Sequence, residues 1–376
     1  MRELLAYPDR QPKRDWRYYL RNTHLDGFLI LGLLALLSVS MVVLYSSGGE
    51  DIWLSMRQLI RMFVAFIGLL FIAQISPDRL RALAYWAYGV GLILLVAVLL
   101  VGDMGKGAQR WLDLGVMRFQ PSEIMKIAVP LLLAAYLSER PLAPSFLRII
   151  VALIIIAVPT VLIAKQPDLG TAILIASSGL IVIFLAGISW KLIIGFITIC
   201  ASAAPLLWLN MHDYQQRRVL TFLNPESDPL GAGYHIIQSK IAIGNGGLTG
   251  RGWLQGTQAH LEFLPERSTD FIFAVIGEEF GLIGVALLIM LYLVITARGL
   301  YIASQAQTSF GSLLAGSIAI TFLVYVFVNI GMVTGLLPVV GVPLPLVSYG
   351  GTSMVTLMAG FGILMSIHTH RRMMSP

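Results

Sequence analysis

Ser268-Thr269-Asp270 stands directly ahead of a long apolar stretch that begins at Phe271. A carboxylate in that position has two uses. It can cap a helix, because Ser, Thr and Asp all accept from the first free N–H groups and Asp suits the positive end of the helix dipole. It can also act as a general base toward a hydroxyl nucleophile, which contributes about 10²–10⁴-fold in rate. Glu278 and Glu279 follow two turns later inside the apolar run, where each needs a partner or water. Glu262, Glu266 and Arg267 flank the tripeptide as supporting groups. A second polar knot, RFQPSEIMK, runs from Arg118 to Lys126. Pro121 suits the first turn of a helix, with Gln120 or Ser122 available to cap it. Glu123 and Lys126 are three apart, share a face and can pair. Such a pair can be purely structural, or it can fix a helix from which Arg118 and Gln120 face a ligand.

Cations gather in two segments. Residues 102–120 hold Lys106, Arg110 and Arg118, and residues 210–269 hold Arg217, Arg218, Lys240, Arg251 and Arg267. They fit either anionic headgroups or a bound anionic ligand. Within the second segment, Tyr234 to Ile243 reads as a short amphipathic helix that could lie in the membrane interface. Near the C-terminus, Pro338, Pro343 and Pro345 with Gly335 and Gly341 rule out a plain lipid-facing helix between Asn329 and Ser353. Irregular backbone at that depth survives only inside protein or beside a polar cavity, so Pro338, Pro343, Ser348 and Gly350 are read as a cavity wall. The six His show no metal-ligand spacing and Cys200 is the single cysteine, so no metal-binding residue is assigned. No phosphate-binding glycine loop of the ATPase type occurs, which argues against an ATP-driven pump.

The elements that must hold these residues are membrane helices. The chain has 376 residues, 57% hydrophobic and 12% charged, half the charge of an ordinary soluble domain, which carries about 25%. Apolar runs predict ten spans, near 27–47, 54–75, 82–101, 121–138, 146–165, 169–187, 190–209, 271–297, 311–337 and 343–367. They are continuous rather than alternating, which selects helices over a closed barrel. The expected fold is therefore an all-α integral membrane protein with one long outer loop between spans seven and eight. Six Arg/Lys precede the first span, and Arg371 and Arg372 follow the last, so both termini are expected in the cytoplasm. The expected division is a cytoplasmic N-terminal segment over 1–26, one polytopic domain over 27–370 with its outer loop at 210–269, and a cytoplasmic tail over 371–376.

Several of these motifs resemble the SEDS family (shape, elongation, division and sporulation). Asn329, Gly335, Pro338, Gly341 and Ser348-Tyr349-Gly350-Gly351-Thr352-Ser353 fall at the family's spacing. KGAQRWLDLG (106–115), RFQPSEIMKIAVP (118–130), QPDLGTA (166–172), DPLGAGYHIIQSKIAIGNGGL (228–248) and LEFLPERSTDFIFAV (261–275) are similar to its RodA-like branch. The resemblance implies a rod-shape and elongation protein of the bacterial inner membrane that polymerises lipid II into β-1,4 glycan strands. It implies Asp270 as the catalytic base, Glu123 and Lys126 as a buried ion pair, and Arg118 and Gln120 in the functional region. It also implies a partner, a class B penicillin-binding protein (a PBP2-type transpeptidase), and other membrane proteins of the elongation complex; no nucleic acid is expected.

The chemistry suits the residues. Outside the cell the sugar donor must carry its own activated leaving group, and a lipid diphosphate does so. Lys106, Arg110, Arg118, Arg217, Arg218 and Lys240 would stabilise the charge gained as it departs. A diphosphate leaves without a proton, so one carboxylate suffices, unlike the two of a glycosidase. No cofactor is assigned, and a divalent cation, Mg or Mn, near Asp270 is compatible with the departing diphosphate. The alternative is a lipid II flippase, which would need polar residues through the whole membrane thickness. Lys106, Arg118, Glu123, Lys126, Lys165, Asp168, Lys240 and Asp270 all map to outer ends instead.

Overall fold

The computed structural model describes residues 24–105, 108–113, 118–140, 143–190, 232–257 and 266–370, with scattered positions between 192 and 220. Its helices are α1 (Gly27–Ser47), α2 (Ile52–Ala73), α3 (Pro77–Val101), α4 (Pro121–Leu137), α5 (Phe146–Lys165), α6 (Leu169–Leu185), α7 (Ala232–Gly246), α8 (Ile272–Ser304), α9 (Ser309–Val333) and α10 (Thr352–Thr369). Seven of them are long and apolar enough to cross a membrane; α4 and α6, of 17 residues each, are shorter. The chain is a multi-pass membrane protein. The span expected at 190–209 lies largely outside the described residues.

Two departures from the all-helical expectation have local causes. Between α3 and α4 the chain forms a small antiparallel sheet, ordered β1 (Asp103–Gly105), β2 (Ala108–Asp113) and β3 (Arg118–Phe119). Leu112 pairs with Phe119 and Gly105 with Ala108, so the strands satisfy each other's backbone where no helix runs. The last span starts at Thr352 rather than 343. Pro343 and Pro345 lack N–H donors, and residues 334–351 stay out of regular structure.

The core forms where α2 packs on α10, α8 on α9, α3 on α4 and α6 on α9. Its largest fully buried side chains include Leu33, Leu69, Met125, Leu133 and Tyr292. Tyr292 buries its ring and donates 2.6 Å to the Pro345 carbonyl, tying α8 to the irregular segment.

Helix α8 is broken at Gly281, whose φ of 63° lies in the left-handed region. A break inside a bilayer strands backbone groups. Here the loop after α7 takes them up. Arg251 and Gly252 donate to the Glu278 and Glu279 carbonyls at 3.0 Å each, while Leu282 and Ile283 donate to Gly247 and Leu248 at 3.0 and 3.1 Å. The contact is backbone to backbone: a Cβ on Gly250, itself at φ +81°, would stand 2.1 Å from the Glu279 carbonyl oxygen. Gly250→Ala is therefore expected to lower the Tm of the detergent-purified protein. The left-handed backbone alone costs about 1–3 kcal/mol in a non-glycine residue, before the clash is counted.

At the opposite end of the bundle, Asp26 caps α1 through Leu29 N (2.9 Å) and pairs with Arg298 (2.7 Å) and His368 (3.0 Å), joining α1, α8 and α10. His24 stacks on His370 with ring centroids 3.8 Å apart. Burial pushes the Asp26 carboxyl up, but the bonds from His368, Arg298 and Leu29 outweigh it and hold the group well below its ordinary 3.8. Burial, then the His370 ring, pushes His24 below its ordinary 6.5. Both groups bind fewer protons folded than unfolded, so their contributions are complete above those ordinary values and are lost as pH falls through the lowered ones. Thermal stability is expected to decline first as pH drops below 6.5, and His24→Gln to remove that step while leaving the decline below 3.8.

Candidate functional site

Residues 266–271 make a set of turns ahead of α8. Phe271 holds the N-cap position with no side-chain cap bond. The capping expected of Ser268 and Thr269 does not occur. The turn folds back on Glu266, with Thr269 N and Phe271 N donating to its carbonyl at 3.0 and 3.3 Å. Thr269 Oγ1 follows, donating to the Glu266 carboxylate at 2.9 Å, while Ser268 Oγ donates to the Ser47 carbonyl at 3.4 Å. Both hydroxyls are thereby turned away from the helix's first N–H groups.

The three carbonyls of the tripeptide are instead held from one side by the irregular segment and α9. Tyr349 N donates to Ser268 O at 2.8 Å, Ser348 Oγ to Thr269 O, and Asn329 Nδ2 to Asp270 O at 2.9 Å. The Asp270 carboxylate lies along the same wall: Oδ2 is 3.4 Å from where a Cβ on Gly341 would be. Glu278 and Glu279, fully buried about two turns on, find partners as expected: Thr257 Oγ1 donates to Glu278 at 2.9 Å and Ser46 Oγ to Glu279.

A second cluster centres on Asp168, which caps α6 through Thr171 N at 3.4 Å. Gln120 Nε2 donates to its Oδ2 at 3.1 Å, and Arg110 Nη1 lies 3.8 Å from its Oδ1. Gln120 occupies the N-cap position of α4, but its side chain is drawn to Asp168 and caps nothing; Pro121 takes the first helical position. One turn on, Lys126 Nζ donates to Glu123 at 2.7 Å and lies 5.6 Å from the centre of the Tyr325 ring. Both members of this pair are almost wholly buried. The two clusters flank one stretch of chain. A Cβ on Gly170, in the first turn of α6, would meet Val340 O at 2.6 Å, and the next residue, Gly341, adjoins Asp270.

The profile described as "Cell cycle protein", covering FtsW, RodA and SpoVE, matches residues 20–373. The chain belongs to the FtsW/RodA/SpoVE family. It is 57% identical over 353 residues to the peptidoglycan glycosyltransferase MrdB of Escherichia coli strain K12, covering 94% of this chain and 95% of that one. Its fold is similar to a chain from a peptidoglycan synthase complex that coordinates polymerisation and crosslinking, with TM-score 0.81 and 33% identity over 92% of this chain and 99% of the other. The rod shape determining protein RodA of Thermus thermophilus is similar at TM-score 0.69 and 29% identity, over 91% of this chain and 96% of that one.

In this FtsW/RodA/SpoVE chain the expected site residues fall into three groups. Arg110, Gln120, Glu123 and Lys126 come together around Asp168 and Tyr325. Asp270 follows Thr269, whose carbonyl Ser348 holds, with Pro338 and Pro343 half-buried in the same wall and open space at Gly350. Lys240, exposed on α7, meets the wall at Gly335, its Nζ 2.8 Å from that residue's Cβ position. Lys106, Arg217, Arg218, Glu262 and the Arg118 side chain lie outside the described residues. Asp168 is the residue sequence reasoning undervalued; its signal was an Asp preceding an apolar run, the mark of an N-cap. Among the described residues no three His, Cys, Asp or Glu side chains could hold a metal ion.

Proposed function

We propose that Asp270 is the general base with which this chain polymerises lipid II. The chain is a peptidoglycan glycosyltransferase. In the proposed step, the acceptor's 4-hydroxyl oxygen attacks the donor sugar carbon that bears the diphosphate. The carbon–oxygen bond to the diphosphate breaks, and undecaprenyl diphosphate leaves with the electron pair. Asp270 takes the hydroxyl proton. A single displacement inverts the α-linked donor into a β-1,4 strand. The observation that carries this reading is the pinning of Ser268, Thr269 and Asp270 at three successive carbonyls, which preorganises one carboxylate ahead of α8. Arg110 and the other expected cations would stabilise the departing diphosphate.

The reaction belongs on the outer face of the cytoplasmic membrane, with both termini inside. The partner is a class B penicillin-binding protein that cross-links the strands, within an assembly of elongation-complex membrane proteins. A flippase is the weaker reading. Among the described residues five carboxylates are buried; Glu123, Asp168, Glu278 and Glu279 share the Asp270 end, and Asp26 is locked in ion pairs at the other. That pattern suits a one-sided site better than a path across.

The test reconstitutes the full chain with its transpeptidase partner in vesicles, with labelled lipid II and a transpeptidase inhibitor. Glycan ladders are expected. Transfer of lipid II between leaflets without any ladder would overturn the reading in favour of the flippase.

A further inference from the structure

We infer that Asn329 is a positioning residue for Asp270, with Ser348 as its counterpart on the neighbouring residue; the inference rests on the reading of Asp270 as the base. Asn329 sits on α9, fully buried. Its Nδ2 donates to two carbonyls, Asp270 O at 2.9 Å and Val342 O at 2.7 Å. Two carbonyl acceptors fix the orientation of the amide, since only the NH₂ end can serve both. One side chain thus spans the gap between the turn that carries the carboxylate and the wall opposite it, beside Gly341. Ser348 does the same one residue earlier: its Oγ accepts from Leu344 N at 2.8 Å and donates to Thr269 O.

The arrangement is more than packing. Asn329 Oδ1 is buried and has no hydrogen-bond partner among the described residues. A core amide kept for stability alone would be expected to use both ends. Here the donor end is committed to setting the separation of two segments, and the acceptor end is left over. Both side chains grip the backbone that carries the carboxylate, at the Asp270 and Thr269 carbonyls. A base must stand within hydrogen-bond reach of the hydroxyl it deprotonates, and a displacement near 1 Å can cost on the order of 100-fold in rate.

The test uses the full chain with its transpeptidase partner, comparing Asn329→Ala and Ser348→Ala in the wild-type and Asp270→Glu backgrounds. Folded yield and Tm are recorded alongside kcat and KM for lipid II. In the wild-type background kcat is expected to fall on the order of 100-fold with KM little changed and folded protein recovered. In Asp270→Glu, whose carboxylate is already displaced, the further loss should be much smaller, because both changes act on one property. Equal fractional losses in the two backgrounds would overturn the inference. So would unchanged kcat in both single variants, or activity that merely tracks the folded fraction. Failure of the underlying reading shows separately, as wild-type polymerisation by Asp270→Asn.

Discussion

Asp270→Asn is expected to cut glycan-ladder formation by about 10²–10⁴-fold while leaving a folded, partner-bound protein. The substitution keeps the size of the side chain and the backbone carbonyl that Asn329 holds, so the turn survives. It removes the proton acceptor. General-base catalysis is worth about 10²–10⁴-fold, and the loss should appear in kcat, because the proton moves in the transition state rather than on binding. The absence of a paired acid in the proposed mechanism makes the effect sharper: no second carboxylate is assigned to take over. Glu278 and Glu279 are poor substitutes, since each is buried and already engaged by Thr257 or Ser46. Quantitative ladder formation from labelled lipid II measures this directly, and retention of a tenth or more of wild-type kcat, a loss well short of the roughly 10²-fold minimum for a general base, would sink the assignment.

Glu123→Ala is expected to fail for a different reason. It leaves the Lys126 ammonium buried without its partner at 2.7 Å, with the Tyr325 ring 5.6 Å away and the Asp168 charge acting at longer range. Breaking a buried pair from one side costs about 3–5 kcal/mol. A typical domain is stable by about 5–15 kcal/mol, so much of the folded population is at risk. Low yield and a depressed Tm should accompany lost activity, in contrast to Asp270→Asn. Exchanging the charges, Glu123→Lys with Lys126→Glu, should restore much of the folded yield. A folded but inert exchanged pair would instead mean that one of the two groups meets the substrate.

Much of this arrangement is legible in the sequence. Pro121 at the start of α4, the spacing of Glu123 and Lys126, and the proline-broken stretch after α9 each report a local rule with one outcome. What was not legible depends on partners distant in the chain. Gln120 reads as a capping residue until Asp168 stands 3.1 Å away. Ser268 and Thr269 read the same way until the turn closes on Glu266. The break at Gly281 gives little warning, because a glycine in an apolar run is compatible with a continuous helix. It becomes a break only when the loop from Gly246 to Gly252 arrives to take the stranded backbone groups. Asn329 was visible only as one position in a motif. Its double bond across Asp270 and Val342 needed the fold.

The most direct test of Asp270 as base is the pH dependence of kcat/KM for lipid II polymerisation, measured for the wild type and for the residual activity of Asp270→Asn. A base must be deprotonated to act, so the wild type should lose activity on the acid side along a limb set by one ionisation. The Asp270→Asn residue of activity should be flat across that limb. The same acid limb in Asp270→Asn would contradict the account, because the ionisation that governs turnover would then belong to another group.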